Sequence, residues 1–172
     1  KIPFDLFCEF MGYWLSDGST MGNAGVVISQ QEGEPARDRI VNCVKRIGFE
    51  PHLDKQKVAF YSTPIRNYLK IFGKCSHKFI PSAIKNASVR QIRIFLNAFM
   101  LCDGYRRPCK SFVGNHGTEF KSDKDEILYF TVSERMAGDL SELILKSGNR
   151  PSFSVNKAGV SHKSNGSIIT SN

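Results

Sequence analysis

The sequence predicts an α+β fold built from two similar halves in one chain, and three observations predict it. The first is a repeat. Phe10-Met11-Gly12-Tyr13-Trp14-Leu15-Ser16-Asp17-Gly18 returns 86 positions later as Leu96-Asn97-Ala98-Phe99-Met100-Leu101-Cys102-Asp103-Gly104. Each copy is an apolar run with a small third residue and an Asp-Gly stop, and internal repeats decide architecture before any other feature. The second is a later echo, Ile47-Gly48-Phe49-Glu50-Pro51 against Ser147-Gly148-Asn149-Arg150-Pro151. The third is the order of elements, which reads helix, strands, helix, strands in each half. Residues 1–87 form one half and 88–172 the other, and 172 residues suffice for a real core.

Pro3 fits the first helical position, and the first helix runs to about Ser16. Phe7, Phe10, Met11 and Trp14 recur on it at helical spacing. Gly18, like Gly104 later, ends a helix where the left-handed conformation is commonly needed. Val26-Val27-Ile28 reads as a strand, Glu34-Pro35 opens a second helix and Gly48 stops it. His52 to Ser62 is a hairpin, and Pro64 opens a helix stopped by Gly73, with Tyr68, Leu69 and Phe72 inward. Lys78-Phe79-Ile80-Pro81 leads into a short helix to about Asn86.

Ser88-Val89-Arg90-Gln91 is a capping box that starts the second motif helix. Tyr105 to Val113 reads as a strand in which Pro108 argues for a bulge or an edge. Glu119 to Glu126 is a charged hairpin loop, and Ile127 to Val132 a strand. Ser133 caps a helix with Met136, Leu140, Leu143 and Ile144 inward, ending at Gly148. The polar stretch 157–167 reads as loop. The second half reaches Asn172 before any counterpart of the 64–73 helix, so it reads as truncated.

Charge narrows the partners. The formal net charge is +8, and residues 61–110 hold ten basic side chains and one acid, Asp103. Such a block is the footprint of a phosphate-backbone binder, whereas a merely solvated face interleaves both signs. No apolar run approaches a membrane span, and no signal peptide is evident. Five cysteines without a regular framework indicate reduced thiols and an intracellular, cytoplasmic setting. Cys75-x-His77 with Cys102 and Cys109 has irregular spacing for zinc, so these read as ordinary thiols.

The chemistry gathers at the repeat. If the two apolar faces pack in parallel, Gly12 and Ala98 permit close approach and Asp17 meets Asp103 at one end. An acid at a helix C-terminus already faces a negative dipole, and two acids together repel. A divalent cation on hard carboxylate oxygens resolves both conflicts, and Mg²⁺ suits a site with few protein oxygens.

The paired motifs resemble those of LAGLIDADG (dodecapeptide) homing endonucleases. The form Gly12-Tyr13-Trp14-Leu15-Ser16-Asp17-Gly18-Ser19 looks like the first motif of the versions embedded in inteins. The sequence departs from the pattern at Phe10-Met11, Leu96-Asn97, Ala98, Ser16 and Cys102 but keeps both acids and both final glycines. The resemblance implies a pseudo-twofold fold of two αββαββα-type halves with packed motif helices and a DNA-binding β-saddle. It implies a monomeric, metal-dependent, site-specific endonuclease acting on double-stranded DNA at a long asymmetric target, intein-derived. Asp17 and Asp103 would hold the metal, with the backbone carbonyls of Ser16 and Cys102. Lys78-Phe79-Ile80-Pro81 matches the family's Lys-x-Ile-Pro segment, so Lys78 would polarise water and phosphate, with Lys74 next in line. Lys163 is the second-half candidate for that role. Ser29, Gln31, Lys74, Arg106, Arg107, Lys110 and Lys157 are the expected DNA contacts, since Arg reads guanine edges well. The competing reading is a non-catalytic nucleic-acid binder, an RNA maturase or transcription regulator, which also resemble this family. The chain neither opens with Cys or Ser nor closes with His-Asn and a nucleophile, so splicing modules are not expected within it.

Overall fold

The computed structural model describes residues 1–108, 125–152 and 154–155, with the backbone of the short strands at 112–113, 119–120, 160–162 and 168–170. Helix α1 (Phe4–Asp17) follows Pro3 and passes without a turn into β1 (Gly18–Met21). β1 turns at Gly22 (φ +53°) into β2 (Gly25–Ser29), and α2 (Arg37–Ile47) ends at left-handed Gly48. β3 (His52–Leu53) and β4 (Lys57–Tyr61) complete a four-stranded antiparallel sheet in the order β1-β2-β4-β3. Helix α3 (Thr63–Lys70) starts where the Ser62 hydroxyl accepts from the Ile65 amide. A single 3₁₀ turn (Cys75–His77) and α4 (Ser82–Lys85) lead to α5 (Val89–Asp103), which carries the full Ser88–Gln91 capping box.

After α5 come β5 (Gly104–Arg107), β6 (Phe112–Val113), β7 (Glu119–Phe120) and β8 (Glu126–Tyr129). β5 pairs with β8 and β6 with β7, all antiparallel. Helix α6 (Glu134–Lys146) starts at Ser133, whose hydroxyl accepts from the Met136 amide. β9 (Val160–His162) pairs with β10 (Ile168–Thr170). The architecture is therefore α+β with small antiparallel sheets, and among the described residues no helix is long and apolar enough to cross a membrane.

Several local expectations need correction. The second helix begins at Arg37, because 35–36 form a turn before it. The strand expected over 105–113 is two strands, the first ending just before Pro108, which has no amide to continue the ladder. The charged 119–126 stretch contains β7 and the start of β8, and the strand after it stops at Tyr129 rather than Val132. Strand β9 lies within the stretch expected as loop. Tyr68 is only partly inward, 40% exposed with its ring against Phe7 and Phe72, while Leu69 and Phe72 are buried as expected.

Gly18 and Gly104 are not left-handed caps; both are extended, at φ −86° and −137°. Their glycine character comes from crowding. A Cβ on Gly18 would lie 2.3 Å from the Trp14 carbonyl oxygen, and one on Gly104 would lie 2.6 Å from that of Met100. At both glycines the backbone therefore passes straight from helix into strand along a path that a side chain would block.

The core centres on α1 and α5, the pair of elements in most extensive contact. Leu6, Phe10, Met11, Tyr13, Trp14 and Leu15 of α1 are buried, as are Ile92, Phe95, Leu96, Ala98 and Phe99 of α5. A Cβ on Gly12 would stand 2.6 Å from both the Ala98 Cβ and the Phe95 carbonyl oxygen, so the helices touch backbone to backbone there. At their N-terminal ends Asp5 accepts from Arg90 (2.6 and 2.9 Å) and from Gln91 (2.9 Å). The two helices thus run parallel, N-terminus beside N-terminus.

Candidate functional site

Parallel packing brings the two helix C-termini, and with them Asp17 and Asp103, to one end of the core. Both carboxyls are pushed above the usual carboxylate range, first by burial. Asp103 reaches about 6, with the Asp17 charge adding to burial and Lys78 opposing it. Asp17 is relieved by a 2.6 Å hydrogen bond from Gln30 Nε2 and by the nearby Lys78 charge, while Glu34 acts against it. The pair is short of positive compensation. Two half-buried carboxylates with backbone carbonyls close by are a donor set that fits a hard divalent cation. Among the described residues, no three His, Cys, Asp or Glu side chains cluster as a metal cage. Any cation here would therefore rest on the two acids, carbonyls and water.

Lys78 is almost fully buried, 6% exposed. Its Nζ donates to the carbonyls of Trp14 (3.1 Å), Leu15 (3.1 Å), Ser16 (3.3 Å) and Gly18 (2.7 Å) and sits 4.9 Å from the Trp14 ring centroid. An ammonium has three donors, so four carbonyls share them. The lysine neutralises the negative end of α1 where the last carbonyls lack helical partners. Burial lowers its pKa, while Cys75, Asp103 and Asp17 favour the charged form. Its ammonium thus lies among helix carbonyls, and the Ser16 carbonyl expected to face a metal accepts from it. Ser16 Oγ donates back to Gly12 and Tyr13, and the half-buried Cys102 thiol is pushed up to about 12 by burial.

An open cleft of about 500 Å³ lies beside Asp17, lined by Ser29, Gln30, Gln31, Glu34, Gln56, Lys57 and Cys102. Ser29 and Gln31 face it from exposed positions, as expected of groove-facing residues. Gln30, between them, is buried and donates to Asp17. Its backbone carbonyl is in turn held by the buried Arg37 guanidinium, which also binds the Asp54 carbonyl. Sequence reasoning missed Gln30 and Arg37. The signal in the sequence was faint: Val26, Val27 and Ile28 are all buried, so no alternation marks position 30, and only its burial beside exposed Ser29 and Gln31 shows that its carboxamide needs a partner.

Lys74 is exposed at the start of the 3₁₀ turn. Arg106 and Arg107 project from β5, but each faces an acid on the paired segment, Asp125 at 3.6 Å and Glu126 at 2.9 Å. Lys110, Lys157 and Lys163 lie outside the described residues.

No family model matches the chain. It is 25% identical over 162 residues to a protein named ATP-dependent Clp protease proteolytic subunit from Chlamydomonas moewusii, over 87% of this chain and 15% of that protein. The chain therefore spans about 15% of the length of that relative. Among the described residues, the one Ser–His contact is between exposed neighbours, Ser76 and His77 (3.3 Å), with no carboxylate on the ring.

Proposed function

We propose that this chain is a LAGLIDADG-type homing endonuclease, with pseudo-twofold halves, that cleaves double-stranded DNA at a long, specific site as a monomer. The observation that carries the reading is the meeting of Asp17 and Asp103 at the ends of two parallel helices packed at Gly12 and Ala98. Hydrolysis forms a phosphorus–oxygen bond from water and breaks the bond to the leaving sugar oxygen. Asp17 and Asp103 would hold a Mg²⁺ ion, which suits a site with few protein oxygens. When bound, the ion offsets charge building on the phosphate and lowers the pKa of water. Gln30 fixes the rotamer of Asp17. Lys78 holds the end of α1 and adds positive charge beside both acids. The exposed Lys74, Arg106 and Arg107 supply backbone attraction, and Ser29 and Gln31 face base edges from the first sheet. The similarity to a small part of a much longer protein supports reading the chain as a module carried within a host, as an intein-derived enzyme would be.

The engagement of the Lys78 ammonium by the carbonyls at the end of α1 also favours a second reading, a nucleic-acid binder without cleavage. Selection of cleaved molecules from a randomised duplex library in Mg²⁺ separates the two. Recovery of one long motif whose cleavage is lost in Asp17→Asn and Asp103→Asn, with binding retained, is the expected result. Motif enrichment by binding without any cut strand in Mg²⁺ or Mn²⁺ would leave the binder.

A further inference from the structure

Three consecutive residues, Lys78, Phe79 and Ile80, are each held by a different side chain of the α6 segment. The Ser133 hydroxyl donates to the Lys78 carbonyl at 2.7 Å. The Arg135 guanidinium lies 3.9 Å over the Phe79 ring centroid. The Ile80 amide donates to Asp139 Oδ2 at 2.8 Å, while Lys85 Nζ donates to the other Asp139 oxygen at 2.9 Å. Ser133, at 1% exposure, and Asp139, at 8%, are as buried as core residues. The Ser133 hydroxyl both caps α6, by accepting from Met136, and reaches the segment. The Asp139 carboxylate ties α6 at once to the segment and to α4. On its other side, the segment sends Lys78 Nζ onto the carbonyls that end α1, one residue from Asp17.

We infer that Ser133 and Asp139 are positioning residues: through them, α6 sets where the Lys78 ammonium sits at the end of α1, beside Asp17 and Asp103. An extended stretch has few internal hydrogen bonds to fix it, so its placement comes from neighbours. A long lysine side chain has four freely rotating bonds; a shift of its backbone is transmitted to Nζ unless the backbone is pinned on both flanks. Here the carbonyl of Lys78 and the amide of Ile80 are those two pins. As regards activity, the inference rests on the endonuclease reading; as regards Lys78 geometry, it does not.

Trp14 is the single tryptophan in the chain, and Lys78 Nζ lies 4.9 Å from its ring centroid, so indole emission reports the ammonium directly. Lys78→Met sets the spectrum of an indole without the cation. Ser133→Ala and Asp139→Ala, measured without DNA and with far-UV circular dichroism unchanged, should shift emission part of the way toward it. Asp139→Asn keeps an oxygen for the Ile80 amide and should restore the wild-type spectrum. If Asn behaves as badly as Ala, the Lys85 ion pair rather than the amide is what matters and the positioning claim fails. Lys146→Met removes a bond from α6 to the Lys85 carbonyl without touching 78–80 and should leave emission unchanged. With a cleavable duplex, single-turnover rates of the two alanine variants should fall about 10–100-fold at unchanged salt-dependent affinity, the effect of misplacing a site by about 1 Å. Unshifted emission in both alanine variants overturns the inference. Shifted emission in a protein that cuts no DNA leaves the positioning intact and removes the endonuclease reading instead.

Discussion

At the end of α1, Asp17 accepts a hydrogen bond from Gln30, and the carbonyls beside it are covered by the Lys78 ammonium. At the end of α5, Asp103 accepts no side-chain hydrogen bond from the described residues, and its backbone carbonyl accepts from the Phe130 amide at 2.8 Å. The same motif thus ends in two different electrostatic settings. The first acid is braced by its own sheet. The second is exposed to its neighbour's charge and rises to about 6. The sheets differ in the same sense: β2 and β4 bury Val26, Ile28, Val58 and Phe60, while β5 is exposed from Tyr105 to Arg107. A repeat in sequence need not give a symmetric site. The supporting residues, not the motif, decide how each acid behaves.

The largest expected effect comes from removing the brace. Lys78→Met removes the ammonium that the Trp14, Leu15, Ser16 and Gly18 carbonyls share in a buried setting. It should lower stability by about 2–4 kcal/mol and Tm by about 5–15 °C, read by thermal denaturation. Mutations near Asp103 have no such cation to lose, so no comparable drop should arise at the end of α5. The close approach between the helices comes next. Gly12→Ala should cost about 1–3 kcal/mol by overpacking against Ala98 and Phe95. Ala98→Gly in the same chain should recover part of that loss, since the two sites share one contact. Additive losses in denaturant titrations would mean the helices are not in contact at this pair.

The smallest effects concern the acids themselves. Because the folded pKa of Asp103 lies above its ordinary 3.8, its contribution to stability is fully present below about 3.8 and lost as pH rises through about 6. Asp103→Asn escapes that loss. It should raise Tm by about 2–4 °C at pH 7.5, as about 1 kcal/mol does in a chain of this size, and leave it unchanged at pH 3.5. Asp17→Asn should gain less, because it also discards the Gln30 bond. Gln30→Met should move the Asp17 carboxyl further up in an NMR titration, making the two ends more alike.

Much of this arrangement was legible in the chain. The repeat fixed which helices pack, the small residues Gly12 and Ala98 fixed where, and the Asp-Gly ends followed. The Ser88 and Ser133 caps were also readable, because capping depends on a few adjacent residues. What could not be read were contacts between distant segments. The Lys78 ammonium could reach either solvent or the α1 carbonyls, and only the placement of 78–80 by α6 decides between them. The extended Gly18 and Gly104 were misjudged because Asp-Gly looks the same whether the glycine supplies a left-handed turn or merely the absence of a Cβ.

The central claim is that Asp17 and Asp103 form one cation site. Mn²⁺ binding at pH 7.5, followed by electron paramagnetic resonance in the wild type, Asp17→Asn and Asp103→Asn, tests it without DNA. The account predicts saturable binding by the wild type, competed by Mg²⁺, that is lost in both variants alike despite their different surroundings. Binding that survives the removal of either acid would contradict it.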